Sequence, residues 1–248
     1  MFRPSRRATR LFRGGRRMLN IADLTVQHGA SRVVQNLRVT VGTGTAAALL
    51  GANGSGKSTV LQAVAGLIRP VRGSIQINGE EIADLPLHWV VARGVALVPE
   101  DRRLILPLSV RENLDLSAAA DRGRTASRRN EVFALFPELA DAADVRASSL
   151  PPAQRLMLAI GRAIMTRPEI ILIDQPSRGL DSSDAARIYT GLAQIRDLGY
   201  SILLADQNIG LALGLADYGY VMRHGALAAH GKPDALQNTD EIAEAYLG

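Results

Sequence analysis

The segment from Ala46 to Thr59 reads AAALLGANGSGKST, an apolar run followed by a glycine-rich turn, a lysine and two hydroxyl residues. The apolar run predicts a buried strand, and the residues after the turn predict a helix that ends before Pro70. The turn matches the pattern G-x-x-x-x-G-K-[ST] from Gly51 to Ser58. Strand, loop and helix in this order are the context in which this pattern wraps backbone amides around a phosphate.

The side chains of the turn suit a nucleoside triphosphate better than an ordinary small anion. Glycines let successive N–H groups face a phosphate, Lys57 can reach the β- and γ-phosphates, and the Ser58 hydroxyl can bind Mg²⁺. A chance match is improbable, because Lys57 is one of only two lysines in the chain. The predicted phosphate-binding residues are Asn53, Gly54, Ser55, Gly56, Lys57, Ser58 and Thr59.

A second apolar run, residues 170–173, ends in Asp174. A carboxylate at the end of a buried strand can accept a hydrogen bond from a water on Mg²⁺. An apolar tetrad that ends in aspartate is common by itself. It indicates a metal site here because the same chain also contains the glycine-rich turn. Ser58 and Asp174 are therefore the predicted metal-site residues.

The rest of the chain alternates strand and helix patterns. From about 108 to 165, helix-favouring residues predict a helical insertion, interrupted by the polar stretch Asp121–Arg129. Residues 218–230 predict a hairpin that turns at His224 and Gly225. The strands after the insertion are each followed by a helix pattern, which predicts right-handed crossovers in a parallel sheet. Further strands are predicted at residues 19–26, 33–41, 73–78, 95–98 and 201–205, and a helix at 86–93.

Composition excludes several classes of protein. A chain of 248 residues with 47% hydrophobic and 21% charged residues fits one α/β domain with a small subdomain. The absence of cysteine excludes disulfide frameworks and thiolate metal sites. The apolar runs are far shorter than the roughly 20 residues that span a bilayer, so that work at a membrane requires a partner.

Seven arginines and no acidic residue lie in the first 17 residues, and the remainder is slightly acidic. Such a tail could bind nucleic acid or anionic lipid. The pair Arg6-Arg7 looks like a twin-arginine export signal, but no apolar segment follows it. Alternatively, translation begins at Met18 or the tail is disordered. We expect residues 1–17 to lie outside the fold, residues 18–248 to form the domain, and no nucleic acid to bind.

Several further fragments, taken with the glycine-rich turn, resemble the ATP-binding-cassette (ABC) ATPases. The similarity runs from about residue 18 to the end and is greatest with the second ATPase subunit of branched-chain amino acid or urea importers. Order and spacing both match that subgroup. The fragments are residues 51–59, 98–103, 157–163, 176–180, 206–208 and 245–248.

The resemblance implies a fold and roles for individual residues. The fold is an α/β P-loop NTPase core with a mainly parallel sheet, an N-terminal antiparallel β-subdomain and an inserted α-helical subdomain at about 104–165. His28 occupies the position of the aromatic residue that stacks on adenine, although a solvent-facing loop histidine is an equal alternative. Glu100 takes the Q-loop position, which senses the γ-phosphate and contacts the permease, and Gln207 takes the switch position.

Two departures from the family concern catalysis. The glutamate that activates the attacking water is replaced by Gln175, and an amide cannot take a proton. The signature sequence LSGGEQ is replaced by LPPAQR at residues 150–155, where prolines lacking an N–H stand in place of the serine and the first glycine. We expect ATP and Mg²⁺ to bind and hydrolysis by the chain alone to be weak or absent.

The expected function is that of the ATP-binding subunit of an importer for branched-chain amino acids or related small polar solutes. Its expected partners are a paralogous ATPase, in a heterodimer, and two transmembrane permease subunits, with a solute-binding protein acting indirectly. Such a subunit lies in the cytoplasm on the inner face of a bacterial cell membrane. The alternatives are a non-hydrolysing, nucleotide-gated regulatory module and a P-loop kinase, for which no acceptor-site motif is found.

Overall fold

The computed structural model describes residues 17–29, 31–118, 122–237 and 240–247. The predicted basic tail lies outside these ranges except for Arg17, which begins the first strand. The strands are β1 (Arg17–His28), β2 (Ser31–Gly42), β3 (Ala46–Leu50), β4 (Arg72–Ile77), β5 (Glu80–Glu81), β6 (Val95–Val98), β7 (Ile170–Asp174), β8 (Ser201–Ala205), β9 (Tyr218–Arg223) and β10 (Ala226–Gly231). The helices are α1 (Lys57–Val64), α2 (Leu87–Ala92), α3 (Val110–Ser117), α4 (Thr125–Leu135), α5 (Pro137–Asp141), α6 (Pro152–Met165), α7 (Ser182–Asp197), α8 (Ile209–Leu215), α9 (Pro233–Leu236) and α10 (Asp240–Leu247).

The strands form two sheets. One is antiparallel, with the order β2-β1-β4-β5, and the other has the order β10-β9-β3-β8-β7-β6. In the second sheet all neighbours are parallel except the hairpin β9–β10. This architecture confirms the predicted fold class, and the hairpin turns at His224 and Gly225 as predicted.

The mainly parallel sheet is buried on both faces, which explains why its strands are continuous apolar runs. Ala47, Leu172 and Leu203 face a core shared with α1 and the antiparallel sheet. The alternate residues, such as Ala48 and Ile173, face a second core built with the helices between β6 and β7 and with α7, α8 and α10. Because β3, β8 and β7 are parallel neighbours, the segments that leave their carboxyl ends meet at one edge of the sheet.

The composition of the polar stretch Asp121–Arg129 predicts an interruption between helices, but part of this stretch is helical. Helix α4 begins inside it, at Thr125, after a short 3₁₀ turn. The arginines serve as ties between helices: Arg129 pairs with Asp115 of α3 at 2.6 Å, and Arg128 donates to the carbonyl of Met165 at 3.0 Å. Since these partners are distant in sequence, local composition could not show that the helix starts there.

The turn of the β9–β10 hairpin lies against the backbone of β2. Gly225 has φ +79°, and a Cβ at this position would lie 2.3 Å from the carbonyl oxygen of Val33. Its N–H donates to the carbonyl of Ser55 at 3.2 Å, and its own carbonyl accepts from the N–H of Gln35 at 2.8 Å. The hairpin therefore joins the two sheets beside the glycine-rich turn.

We predict that Gly225→Ala destabilises the fold more than Gly79→Ala. Both glycines have a positive φ, but a Cβ at Gly79 (φ +87°) meets nothing within 4 Å. Backbone strain is thus common to both variants, and the clash with Val33 should add about 1–3 kcal/mol. Denaturant unfolding of the two variants measures the difference, and equal losses of stability would contradict this account of the contact.

Candidate functional site

The segments that follow β3, β7 and β8 are joined by hydrogen bonds at one edge of the sheet. The hydroxyl of Ser58, in the first turn of α1, donates to Oδ1 of Asp174 at 3.0 Å. The N–H of Gln175 donates to the carbonyl of Ala205 at 2.7 Å. These bonds place the predicted phosphate-binding and metal-site residues side by side.

Only glycine fits at two positions of the glycine-rich turn, residues 51–56, called here the phosphate loop. Gly51 has φ +138°, and a Cβ there would lie 2.2 Å from the carbonyl oxygen of Met222 in β9. Gly56 has φ +99°, and its Cβ would lie 2.9 Å from the carbonyl oxygen of Val33. The loop is thus pressed between β2 and β9, a close approach that any side chain would prevent.

Lys57 is turned into the phosphate loop. The side chain is only 4% exposed, and its Nζ donates to the carbonyls of Gly51 at 2.6 Å and Ala52 at 2.8 Å, and to Oγ of Ser55 at 3.3 Å. Burial lowers the pKa of the Lys57 ammonium, because it is surrounded largely by neutral oxygens. An anionic phosphate in this concavity would give the ammonium a stronger partner.

Asp174 is a buried carboxylate, 6% exposed, at the end of β7. Burial raises its pKa, and the hydrogen bond from Ser58 opposes this rise. In the described ranges no group of three or more His, Cys, Asp or Glu side chains could hold a metal ion. Two protein oxygens, from Ser58 and Asp174, nevertheless suit Mg²⁺, which takes its remaining oxygen ligands from phosphates and water.

Three amide side chains lie together at the mouth of the loop. Nε2 of Gln207 donates to Oε1 of Gln175 at 3.4 Å and also to Oδ1 of Asn53. The backbone of Gln175 is left-handed, with φ +49°. This constellation can donate and accept hydrogen bonds around a phosphate or a water, but it has no group that can take up a proton.

Glu100, just after β6, forms an ion pair with Arg178, which follows β7. After burial, the Glu100 carboxylate also contributes to the raised pKa of Asp174, the predicted metal-site residue. Both partners are substantially exposed, at 40% and 60% of their side chains. A solvated pair of this kind is readily exchanged for other partners.

Asp206, which directly follows β8, lies in one of the fragments that carry the resemblance, but the sequence assigned it no role in the site. It is 1% exposed and accepts hydrogen bonds from the Tyr189 hydroxyl at 2.7 Å, from N and Oγ of Ser177 at 2.9 and 2.6 Å, and from the amides of Gln207 at 2.6 Å and Asn208 at 3.0 Å. The available signal was the same apolar run ending in aspartate that marks Asp174.

The structure leaves two predicted residues apart from these contacts. His28 is exposed at the end of β1, where it pairs with Ser31 of β2, and among the described residues its side chain has no hydrogen bond or ring contact. Thr59 is buried in α1, 8% exposed. The remaining predicted residues lie in the loop or bond to one another around it, except Glu100, whose partner is Arg178.

The segment Leu150–Arg155 begins helix α6 with two prolines, which carry no N–H donor. Pro151 is extended, with φ −59° and ψ 159°, and Pro152 is the first helical residue. The carbonyl of Pro152 accepts from Arg102 at 2.6 Å, and the N–H of Arg155 donates to the carbonyl of Pro151 at 3.0 Å. Proline suits the first turn of a helix, so the helix is kept although the serine hydroxyl and the first glycine amide are lost.

Comparisons with known proteins agree on one family. The ABC transporter family model matches residues 34–178. BraG, the high-affinity branched-chain amino acid transport ATP-binding protein of Pseudomonas aeruginosa, is 35% identical over 93% of this chain and 100% of its own length. LptB, the lipopolysaccharide export system ATP-binding protein of Escherichia coli, is 31% identical over 93% of this chain and 97% of its own.

Among solved structures, the ADP conformation of MJ1267, an ATP-binding cassette of an ABC transporter, superposes with a TM-score of 0.83 at 21% identity. The match covers 94% of this chain and 99% of MJ1267. At this identity the likeness establishes the fold. In the described residues, no helix has both the length and the apolar character needed to cross a bilayer.

We predict that Asp174→Asn stabilises the ligand-free protein at neutral pH, because the amide avoids the burial cost of the charge. The raised pKa of Asp174 means that the wild-type cost is present above that pKa and fades as pH falls toward the ordinary carboxyl value. The gain should therefore shrink in acid. Denaturant unfolding across this pH range is the measurement, and exposed Asp141→Asn is the control. A gain that grows in acid would contradict the assignment.

Proposed function

Because this chain belongs to the ABC transporter family as an ATP-binding subunit, we propose that it is an importer motor subunit that binds Mg-ATP and hydrolyses it poorly by itself. The family implies ATPase activity in general. The observation that carries the proposal is the contrast at one sheet edge: Lys57, Ser58 and Asp174 keep a complete cradle, whereas Gln175 stands where a proton acceptor is needed.

Each residue of the phosphate-binding cradle has its own proposed role. The amides of Gly54, Ser55 and Gly56 bind phosphate oxygens, and Lys57 exchanges the loop carbonyls for the β- and γ-phosphates. Ser58 and Asp174 would hold Mg²⁺ through their side-chain oxygens. Bound Mg²⁺ supplies neutralisation of the phosphate charge and polarises the γ-phosphoryl group.

Weak hydrolysis follows from Gln175. Loss of a general base costs about 10²- to 10⁴-fold in rate. The Gln175 amide keeps the size and hydrogen bonding needed to hold a water. Gln207 orients this amide by donating a hydrogen bond to Oε1 of Gln175. Binding of nucleotide is thereby separated from its turnover.

The proline-containing segment makes a heterodimer the better assembly. In this family each nucleotide lies between the phosphate loop of one subunit and the signature of the other. Paired with a complete paralogue, one composite site lacks the carboxylate and the other lacks the signature donors, so each has one defect. A homodimer would place both defects in both sites.

A groove of about 340 Å³ beside Glu100 is the proposed contact with the permease. Leu87 and Val91 of α2, which are 46% and 50% exposed, line the groove together with Arg102 and Arg103. A groove lined by both apolar and basic side chains suits an amphipathic permease segment that carries an acidic residue. Because Glu100 adjoins this groove and pairs with Arg178, permease movement can reach the nucleotide site.

The transported solute is proposed from BraG, which is named for branched-chain amino acid transport. LptB, named for lipopolysaccharide export, is somewhat less similar, at 31% against 35% identity. We therefore favour import of branched-chain amino acids or related small polar solutes, with a solute-binding protein delivering them to the permeases. The subunit would work in the cytoplasm at the inner face of a bacterial membrane.

A non-hydrolysing, nucleotide-gated regulatory module is the second candidate, favoured by the coincidence of Gln175 with two prolines in the signature position. Such a module would close on ATP without moving a permease. Co-purification of the chain with two membrane permeases supports the motor, and a chain that is isolated only with soluble proteins supports the module.

The central test is nucleotide binding and turnover by the purified chain. We expect Mg-ATP to bind in calorimetric titration, with turnover about 10²-fold or more below that of a complete cassette. Lys57→Ala should abolish binding, and Lys232→Ala, at the other lysine, should not. Failure of the wild type to bind Mg-ATP, or vigorous hydrolysis by the chain alone, would overturn the proposal.

Gln175→Glu tests the two defects separately. We expect this variant to raise ATP turnover only when a paralogous subunit with an intact signature is present, because the proline-containing segment cannot serve the partner nucleotide in a homodimer. Steady-state phosphate release with and without the paralogue is the readout. Full activity of Gln175→Glu alone would show that Pro151 and Pro152 are not a defect.

A further inference from the structure

The hydroxyl of Tyr246, in the C-terminal helix α10, lies against the start of the phosphate loop. It accepts a hydrogen bond from the N–H of Gly51 at 2.9 Å. The carbonyl of Gly51 accepts a hydrogen bond from Nζ of Lys57 at 2.6 Å. Both polar backbone groups of Gly51 are therefore held by side chains from outside residues 51–56.

Gly51 is the residue of the loop with the greatest need of such support. Its φ of +138° is open to glycine and to few other residues, and glycine loses more conformational freedom on ordering than any other residue. The carbonyl of Met222 in β9 closes one side of it. The Tyr246 hydroxyl supplies the acceptor that its buried N–H requires.

Tyr246 is itself fixed in place. Ala245 and Ile242 of α10 are 2% and 8% exposed, and Glu244 pairs with Arg223 of β9 at 3.1 Å. Burial raises the pKa of the Tyr246 hydroxyl; the hydrogen bond from Gly51 opposes this rise, and the charge of Asp206 adds to it, so the group stays neutral. A neutral hydroxyl can accept from Gly51 without bringing a negative charge beside the phosphates.

We propose that Tyr246 is a positioning residue of the nucleotide site, whose hydroxyl holds the Gly51 peptide so that the following loop amides face the phosphates before nucleotide arrives. This inference rests on the proposed binding of Mg-ATP and extends it to the C-terminal helix. Because the loop is already ordered, nucleotide binding does not lose free energy in ordering it. Lys57 can leave the Gly51 carbonyl for the phosphates while Tyr246 retains the amide.

Tyr246→Phe removes the hydroxyl and keeps the ring. We expect the dissociation constant for Mg-ATP to rise about five- to tenfold, the effect of one lost hydrogen bond. We also expect backbone amide exchange in the phosphate loop of the ligand-free protein to accelerate. In the wild type, bound Mg-ATP should slow exchange in α10, and this response should be lost in the variant.

Ile242→Val is the matched structural control, since it loosens the packing of the same helix and leaves the hydroxyl in place. Tyr200→Phe controls for the loss of a tyrosine hydroxyl elsewhere. Wild-type affinity in Tyr246→Phe, or an equal loss of affinity in Ile242→Val, would overturn the positioning role while leaving the proposed function intact. A wild type that does not bind Mg-ATP would overturn both.

Discussion

The buried carboxylate of Asp206 holds together the segments on which the site depends. It accepts hydrogen bonds from Ser177 after β7, from the amides of Gln207 and Asn208 after β8, and from Tyr189 of α7. A buried charge is tolerated only with such a full set of donors. These bonds tie the backbone after β7, at Ser177, to the backbone after β8, at Gln207, beside the phosphate loop.

Strong local patterns made much of this architecture predictable from sequence. The loop from Gly51 to Ser58 is encoded by neighbouring residues whose backbone conformations and chemistry are local, and buried parallel strands are visible as continuous apolar runs. The fold class followed from these elements and from the resemblance. The site assignments themselves remain predictions, although the structure bonds Ser58 to Asp174 and Gln207 to Gln175, the residue that follows Asp174.

What the sequence could not provide are contacts between residues far apart in the chain. The bond of Tyr246 to Gly51 spans 195 positions, and the bond of Tyr189 to Asp206 joins a helix to a loop across the sheet edge. The start of α4 within an arginine-rich stretch depends in the same way on Asp115 and Met165. No local periodicity encodes such pairings, because each depends on how the sheet and helices pack.

The inward-facing ammonium of Lys57 also bears on the sensitivity of the site to its ionic surroundings. Dissolved salt screens exposed charges over a Debye length of about 8 Å at physiological ionic strength, but it reaches a desolvated group poorly. Chloride would have to displace three oxygens already bonded to Nζ, and as a single atom it cannot bridge Nζ and the loop amides in return. The concavity therefore disfavours chloride relative to an anion with several oxygens before any recognition of a base or sugar begins.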